Sequence, residues 1–287
     1  MNKYVRLFGN IHIHPLLWLF SGIAVMTAHF KQLFLLFFIV LIHELGHAVA
    51  AAFFSWRVKR ILLLPFGGVA EVEEHGNRPF REELIVTLAG PAQHLWLMAI
   101  AFFLWRMGVM TNEGWNLFIH YNTAILMINL LPIWPLDGGK LLFLFFTYYF
   151  PFSEAHQKTI VLSIVTLAFF AIAVLFIQPK QLDLWIIVMF LIASLWKEWK
   201  HRHYVVMRFL LERYYGKRSD YTKLRTIAVF EEERISRVLQ KFYRGQKHSI
   251  IIMRDNRERV TLDENEILHA FFVEKQTDVP LSDLIYV

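Results

Sequence analysis

The segment from His43 to His47, His-Glu-Leu-Gly-His, combines the side chains that a hydrolytic zinc site requires. Residues four apart on a helix lie on the same face, so both imidazoles can reach one metal ion. Glu44 is then close to the metal, where a carboxylate acts as the general base of a metalloprotease. The motif therefore predicts a zinc centre with His43 and His47 as ligands and Glu44 as the base.

The position of this motif strengthens the prediction, because it lies within an apolar run, residues 33–55. An ionisable side chain at the centre of a membrane helix costs roughly 2.5–3.5 kcal/mol on insertion scales. Such residues usually serve a function and have a partner. The structural alternative is that His43, Glu44 and His47 hydrogen-bond to neighbouring helices without binding a metal.

Asp137 is the best candidate for the third protein ligand that a catalytic zinc ion needs. It follows Pro132 and Pro135 in an apolar run that these prolines interrupt. Proline breaks a helix, so the interruption can direct the carboxylate of Asp137 at a neighbouring helix. One Zn²⁺ with two ionised carboxylates and two neutral histidines has no net charge, as a buried cluster requires. The alternative is a turn residue in a bend at the membrane interface.

The composition indicates a protein that crosses a membrane several times. Hydrophobic residues form 56% of the 287 residues and charged residues 19%, which argues against an ordinary soluble enzyme. The absence of cysteine excludes disulfide scaffolds, thiolate metal sites and cysteine nucleophiles. Basic residues lie mainly beside one set of loops, which predicts that both termini are cytoplasmic. Six spans are predicted, at about residues 15–30, 33–55, 84–106, 117–150, 159–177 and 182–197.

Residues 61–75 are too short for a spanning helix and contain several turn-forming residues. Gly67 and Gly68 favour a re-entrant β-hairpin that turns at the glycines. At membrane depth such a hairpin is tolerated only where it is buried in protein or faces water. The edge of this hairpin, which includes Val69 and Glu71, is predicted to pair with an extended substrate. A plain cytoplasmic loop is the alternative.

The sequence becomes charged and mixed near residue 200. We expect a transmembrane metalloprotease domain at 1–199, a basic linker at 200–226 and a small cytoplasmic α/β domain at 227–287. The linker, which contains Arg213, is predicted to lie near the membrane surface. Within the last segment, the pattern predicts helices at about 231–243 and 264–272 and strands at about 249–254 and 259–262.

Two of these features together resemble the site-2 protease family of intramembrane zinc metalloproteases. They are the His-Glu-Leu-Gly-His segment of the second span and residues 129–139 of the broken later span. Ala89-Gly90-Pro91-Ala92 in the third span is similar to the Gly-Pro motif of that family. The resemblance covers about residues 10–150.

The resemblance implies a role for several residues. His43, His47 and Asp137 would bind one zinc ion, and Glu44 would be the catalytic base. Asn129 and Pro135 match positions that are linked to active-site geometry.

His94 departs from the family pattern, because it stands after Gly90-Pro91 where many relatives have asparagine. It is a candidate for a hydrogen-bond donor near the metal or for a substrate contact. A packed, hydrogen-bonded histidine with neither role is the alternative.

The tail of the chain resembles a single CBS domain. The predicted fold class is therefore an all-α polytopic membrane protein with about six transmembrane helices and a re-entrant β-hairpin, plus a small α/β CBS-like C-terminal domain. CBS domains generally work in pairs and often bind adenine nucleotides, so a lone copy implies a homo-oligomer and an ATP site. A docking domain without nucleotide is the alternative.

Six spans followed by a CBS domain resemble the branch of the family that acts in sporulation. This resemblance implies that the substrate is an inactive, membrane-associated pro-sigma factor whose N-terminal pro-sequence is removed. It further implies membrane-bound inhibitory partners, and a location in the membrane around the forespore with the C-terminal domain in the mother-cell cytoplasm. The lipid bilayer is an expected partner and nucleic acid is not, because the basic residues flank apolar runs.

A metal-ion transporter or channel regulated by the CBS-like domain is the competing hypothesis. Histidine and aspartate side chains within a membrane can line an ion path. Such a path needs His43, His47 and Asp137 but has no special need for Glu44 between the histidines. Replacement of Glu44 by glutamine therefore separates the two hypotheses.

Overall fold

The structure is a computed structural model that describes residues 11–13, 30–56, 58–64, 67–72, 78–216, 223–253 and 259–285. For residues 11–13, 61–64, 67–72, 259 and 285 the backbone alone is described. Most of the first predicted span, residues 15–29, lies outside the described residues.

Helices form most of the described chain. The helices are α1 (Phe30–Phe53), α2 (Phe80–Arg106), α3 (Asn112–Leu130), α4 (Asp137–Tyr149), α5 (Phe152–Ile177), α6 (Leu182–Tyr215), α7 (Ile235–Gln240), α8 (Glu264–Phe272) and α9 (Ser282–Ile285). The strands are β1 (Ile11–Ile13), β2 (Val58–Leu64), β3 (Gly67–Val72), β4 (Leu224–Phe230), β5 (Lys247–Met253) and β6 (Arg259–Asp263).

Three helices within the described ranges, α1, α2 and α5, are long and apolar enough to cross a membrane. Helix α5 exposes Phe169, Ile172 and Phe176, each more than half accessible. A helix that is apolar all round is stable when lipid or protein covers it, which fits a membrane span. The predicted span at 117–150 is two helices, α3 and α4, because Pro132 and Pro135 interrupt the helical pattern between them.

The chain divides into two compact units. The first comprises Met1–Glu74, Arg81–Leu141 and Thr166–Leu191. The second comprises His75–Phe80, Leu142–Val165 and Ile192–Val287.

Helices α1, α2 and α3 pack together in the first unit through a buried apolar cluster. Ile39 of α1, Leu97 of α2 and Phe118 of α3 lie at its centre. Burial of side chains of this size contributes about 1.5–3 kcal/mol each. The cluster holds together the helices that carry His43 and His47 (α1), His94 (α2) and Asn122 (α3).

A three-stranded sheet also belongs to the first unit, with strand order β1-β2-β3. Strands β2 and β3 pair antiparallel, with Leu64 opposite Gly67, so the predicted hairpin pairing is confirmed. The predicted position of its turn is wrong, because Gly67 and Gly68 are the first two residues of β3 and pair with Leu64 and Leu63 of β2. Both strands contact α1.

The second unit contains a sheet of order β4-β5-β6, in which β4 and β5 are parallel and β5 and β6 antiparallel. Alternate residues of β5, His248, Ile250 and Ile252, are buried. Helix α8 begins as predicted, with Asp263 at its N-cap and the Glu266 carboxylate accepting the Asp263 N–H. The helix predicted at 231–243 is shorter, covering Ile235–Gln240.

The segment predicted as a linker, residues 200–226, contains regular structure at both ends. Helix α6 continues to Tyr215, and β4 begins at Leu224. Arg213 was predicted at the membrane surface, yet its side chain is buried in the second unit. The basic composition concealed this, because it is typical both of a solvated segment and of a helix with one buried cation.

Candidate metal centre

Helix α1 carries the two histidines of the His-Glu-Leu-Gly-His segment on one buried face. His43 and His47 are one helical turn apart, and each is 5% exposed or less. Their Nε2 atoms lie 3.1 Å apart. Glu44, between them in sequence, is also buried. The motif therefore places two imidazole Nε2 atoms and a carboxylate in the interior of the first unit.

Asp137 reaches the same point from the break between α3 and α4. Its Oδ2 atom lies 3.0 Å from Nε2 of His43 and 3.1 Å from Nε2 of His47. The break is tightly packed, because a Cβ atom at Gly138 would lie 2.2 Å from the carbonyl oxygen of Leu130. Glycine is therefore required for α4 to begin so close to the end of α3.

The three converging atoms can all bind a metal ion, but they cannot all form hydrogen bonds with one another. The Nδ1 atom of His47 lies 2.8 Å from the carbonyl oxygen of Val86, which can only accept a hydrogen bond, so Nδ1 carries the proton. A neutral His47 then presents a lone pair from Nε2 to the carboxylate of Asp137. Two lone pairs at this distance repel unless a cation lies between them.

The distances among these atoms also match a zinc site. Ligand atoms of a tetrahedral zinc ion, each about 2.0–2.1 Å from the metal, lie roughly 3.3 Å apart. The three separations between His43 Nε2, His47 Nε2 and Asp137 Oδ2 are 3.0, 3.1 and 3.1 Å. The residues that the sequence selected as ligands therefore form a buried group able to hold one metal ion.

The second oxygen of Asp137 has a different partner. Its Oδ1 atom lies 3.3 Å from the ammonium group of Lys140, one turn along α4. This contact stabilises the ionised carboxylate and orients Oδ2 towards the two histidines.

Helix α2 passes directly beside the histidines at Gly90. A Cβ atom at this position would lie 2.2 Å from Nε2 of His47 and 2.8 Å from Cε1 of His43. The Gly-Pro segment that the sequence analysis identified therefore has a steric role, since any side chain at Gly90 would displace both imidazoles.

The structure places His94 against the group formed by His43, His47 and Asp137. His94 is fully buried on α2, with Nε2 3.0 Å from Nδ1 of His43. Its own Nδ1 lies 2.8 Å from Oδ1 of Asn122 on α3. Sequence reasoning missed Asn122, although a buried amide in the apolar helix α3 was a signal of the same kind as His43 in α1.

The remaining predicted residues lie outside this group. The amide of Asn129 donates to the carbonyl of Ile125 in its own helix, and Pro135 lies in the break before Asp137. Gly67, Gly68, Val69 and Glu71 belong to β3, where their backbone is described.

This arrangement defines the site of a zinc metallopeptidase. It combines two buried histidines four residues apart, a glutamate between them in sequence, and an aspartate from another helix. The Peptidase family M50 model matches residues 31–112 and 104–176, and the chain belongs to this family. It is an intramembrane zinc metalloprotease, and the match favours this class over the transporter hypothesis.

Relatives and a solved structure agree with this assignment. Stage IV sporulation protein FB of Bacillus subtilis is 48% identical over 285 residues, which cover 99% of both chains. Zinc metalloprotease MJ0392 of Methanocaldococcus jannaschii is 31% identical over 156 residues, 50% of this chain and 45% of the relative. The structure of the site-2 protease from Methanocaldococcus jannaschii matches with a TM-score of 0.52 and 25% identity, covering 66% of this chain and 89% of that one.

Proposed function

We propose that His43, His47 and Asp137 hold the zinc ion of this protease and that Glu44 is its general base. The observation that carries the proposal is the convergence of two Nε2 atoms and one carboxylate oxygen within 3.1 Å of one another. When bound, zinc lowers the pKa of a water ligand to about 7 and polarises the scissile carbonyl.

The side chains have separate tasks in this hydrolysis. Glu44 accepts a proton from the attacking water and delivers it to the leaving amine, since the new amine must be protonated as the peptide bond breaks. Asp137 and Lys140 together keep one carboxylate oxygen directed at the histidines. Burial of the group excludes bulk water and strengthens each of these interactions.

The proposed substrate is a membrane-associated pro-sigma factor, from which the protease removes the N-terminal pro-sequence. The resemblance to the sporulation branch supports this substrate class, and so does 48% identity to a sporulation protein along 99% of the chain. By the same argument, membrane-bound inhibitory partners would restrain the enzyme, and the membrane around the forespore would be its location.

Co-expression with a candidate pro-sigma factor tests the proposal. The wild-type chain should shorten the substrate on a gel, whereas Glu44→Gln should leave it intact while retaining zinc, because glutamine cannot accept the proton. Cleavage by both chains would contradict the role of Glu44. Cleavage by neither chain would contradict the proposed substrate.

Strand β3 is proposed to bind the substrate in an extended conformation. A helix hides its scissile bonds, and β3 is an edge strand of the described sheet, to which another strand can add. Proline at successive positions from Val69 to Val72 should alternate in effect, because alternate N–H groups face β2 and the open edge. Proline at open-edge positions should reduce cleavage and spare bound zinc. Unchanged cleavage across the scan would contradict substrate pairing at β3.

The membrane topology is proposed to comprise six spans with cytoplasmic termini, and the three long apolar helices support a membrane location. The chain contains no cysteine, so single cysteines can be introduced near Met1 and Val287 as reporters. Both should react with a membrane-impermeant thiol reagent only when the cytoplasmic side is accessible. Labelling of either from the opposite side would contradict this topology.

The C-terminal region is proposed to be a CBS-like domain at 227–287, joined by the linker 200–226 to the membrane domain at 1–199. The order strand, helix, two strands, helix from β4 to α8 supports this proposal. A homo-oligomer that binds ATP would follow. Titration of the full chain with ATP should show saturable binding, and no binding at millimolar ATP would favour a docking domain.

A further inference from the structure

The two histidines of the metal centre are oriented by different kinds of partner. His47 uses the backbone carbonyl of Val86, which every residue at that position would supply. His43 uses the side chain of His94, which in turn contacts the side chain of Asn122. The second arrangement depends on sequence, so it can be changed by substitution.

The hydrogen bonds of Asn122 set the direction of this relay. Its Nδ2 donates to the backbone carbonyl of His94 at 3.1 Å, so its Oδ1 must face the ring of His94. An amide oxygen only accepts, and therefore Nδ1 of His94, 2.8 Å away, carries the proton. A neutral His94 is then left with a lone pair on Nε2.

That lone pair determines the tautomer of His43. Since Nε2 of His94 accepts, Nδ1 of His43 must donate across the 3.0 Å contact. The lone pair of His43 is consequently on Nε2, the atom that faces Asp137 and His47. Partners of this kind fix the ring orientation of a metal ligand and raise its basicity.

We propose that His94 and Asn122 are positioning residues that hold His43 in its zinc-binding tautomer and orientation. The inference rests on the proposed zinc site. A neutral histidine suits this place better than the carboxylate that often orients a zinc ligand, because a third carboxylate would make the buried cluster negative.

Zinc affinity of the full-length protein in detergent micelles, measured by competition with a chromogenic chelator, tests the proposal. His94→Leu and Asn122→Leu should each weaken zinc binding by about 10–100-fold. His94→Gln should stay within a few-fold of wild type, since its amide oxygen can accept from His43. The absorption bands of bound Co²⁺ should change in the leucine variants and stay unchanged in the glutamine variant.

A matched control separates orientation from the general cost of burying an apolar side chain. Thr159 is fully buried on α5, where its hydroxyl donates to the carbonyl of Ala155 in the same helix. Thr159→Val should leave zinc affinity unchanged.

Three results would overturn the inference: wild-type affinity in both leucine variants, equal losses in His94→Gln and His94→Leu, or an equal loss in Thr159→Val. If His94→Leu aggregates, Asn122→Leu and His94→Gln decide the outcome. A wild-type chain that binds no zinc would instead overturn the proposed metal site.

Discussion

In the described parts of both units, a buried cluster joins histidine to a carboxylate, and these two clusters differ in the source of their positive charge. The first unit brings together His43, His47 and Asp137. The second brings together His248 and Glu264 around Arg213, whose side chain is fully buried.

The cluster of the second unit is complete without any added ion. Arg213 forms two hydrogen bonds to the carboxylate of Glu264, at 2.5 and 2.7 Å, and donates further to the carbonyls of Tyr243 and Gln246. The Tyr243 N–H donates to Nε2 of His248, so Nδ1 of His248 donates to Glu264 at 2.9 Å. The positive charge of Arg213 balances the negative charge of Glu264, and His248 is neutral.

The cluster of the first unit has the opposite pattern. Nε2 of His47 and Oδ2 of Asp137 face each other as acceptors, and the relay through His94 gives Nε2 of His43 the same character. The Lys140 ammonium contacts the other oxygen of Asp137. Residue types alone therefore do not define a metal site, because a metal site also requires lone pairs that converge without a donor between them.

Gly90→Ala is expected to have the largest effect on zinc content and cleavage. The added Cβ would collide with both imidazoles, and displacement of catalytic groups by about 1 Å costs about 100-fold in rate. We expect loss of most bound zinc and at least that loss of cleavage. Gly114→Ala is the matched control, because the atom nearest to a Cβ there, 3.3 Å away, belongs to the flexible side chain of Met110, which can move aside. Full zinc content in Gly90→Ala would show that the packing of α2 does not constrain the site.

A large effect on stability, with zinc unchanged, is expected from Arg213→Met. Removal of one partner from a buried ion pair costs roughly 3–5 kcal/mol, since the other charge stays buried. Hydrogen exchange of the β5 amides in the full chain should accelerate accordingly. Adding Glu264→Gln should restore part of the protection. Equal protection in Arg213→Met and wild type would mean that this cluster does not stabilise its unit.

A change of pH is expected to have a smaller effect on the stability of the second unit. Burial lowers the pKa of His248 below its ordinary 6.5, and the Arg213 guanidinium acts in the same direction. Burial opposes ionisation of Glu264, but hydrogen bonds from His248 and Arg213 outweigh it and keep the pKa of Glu264 below 4.5.

Both pKa shifts change the stability of the second unit with pH in the same direction. At His248 and Glu264 the unfolded chain binds more protons than the folded chain as the pH falls below about 6.5, so the stability of the second unit should decrease on acidification. Exchange of β5 amides, corrected for intrinsic rates, should be slowest near neutral pH. His248→Gln should remove the upper part of this dependence and His269→Gln should not. Protection that increases on acidification would contradict the assignment.

The sequence predicted the members of the first cluster, His43, His47 and Asp137, better than those of the second. His43 and His47 could be found because helical spacing is visible in the sequence and because ionisable groups in apolar runs are rare. Asp137 could be found from the prolines around it. Arg213 and Glu264 are 51 residues apart, and nothing local to either indicates their pairing.

Two misassignments have local physical causes. Gly67 and Gly68 were placed at a turn because glycine favours turns, but the register of β2 and β3 places them in a strand. The start of β4, residues 224–226, was assigned to the basic linker and the rest of the strand was not predicted, although Ile227 and Val229 are buried alternately, as in a half-buried strand. Composition outweighed periodicity in that assignment.

Zinc content per chain tests the central claim most directly. It should be measured on purified full-length protein for the wild type, Glu44→Gln, Asp137→Leu and Asp183→Asn, whose exposed carboxylate at the start of α6 makes it the control. We expect one zinc ion in the wild type, Glu44→Gln and Asp183→Asn, and loss of most zinc from Asp137→Leu. Full zinc in Asp137→Leu, or none in the wild type, would contradict the assignment of His43, His47 and Asp137 as the zinc ligands.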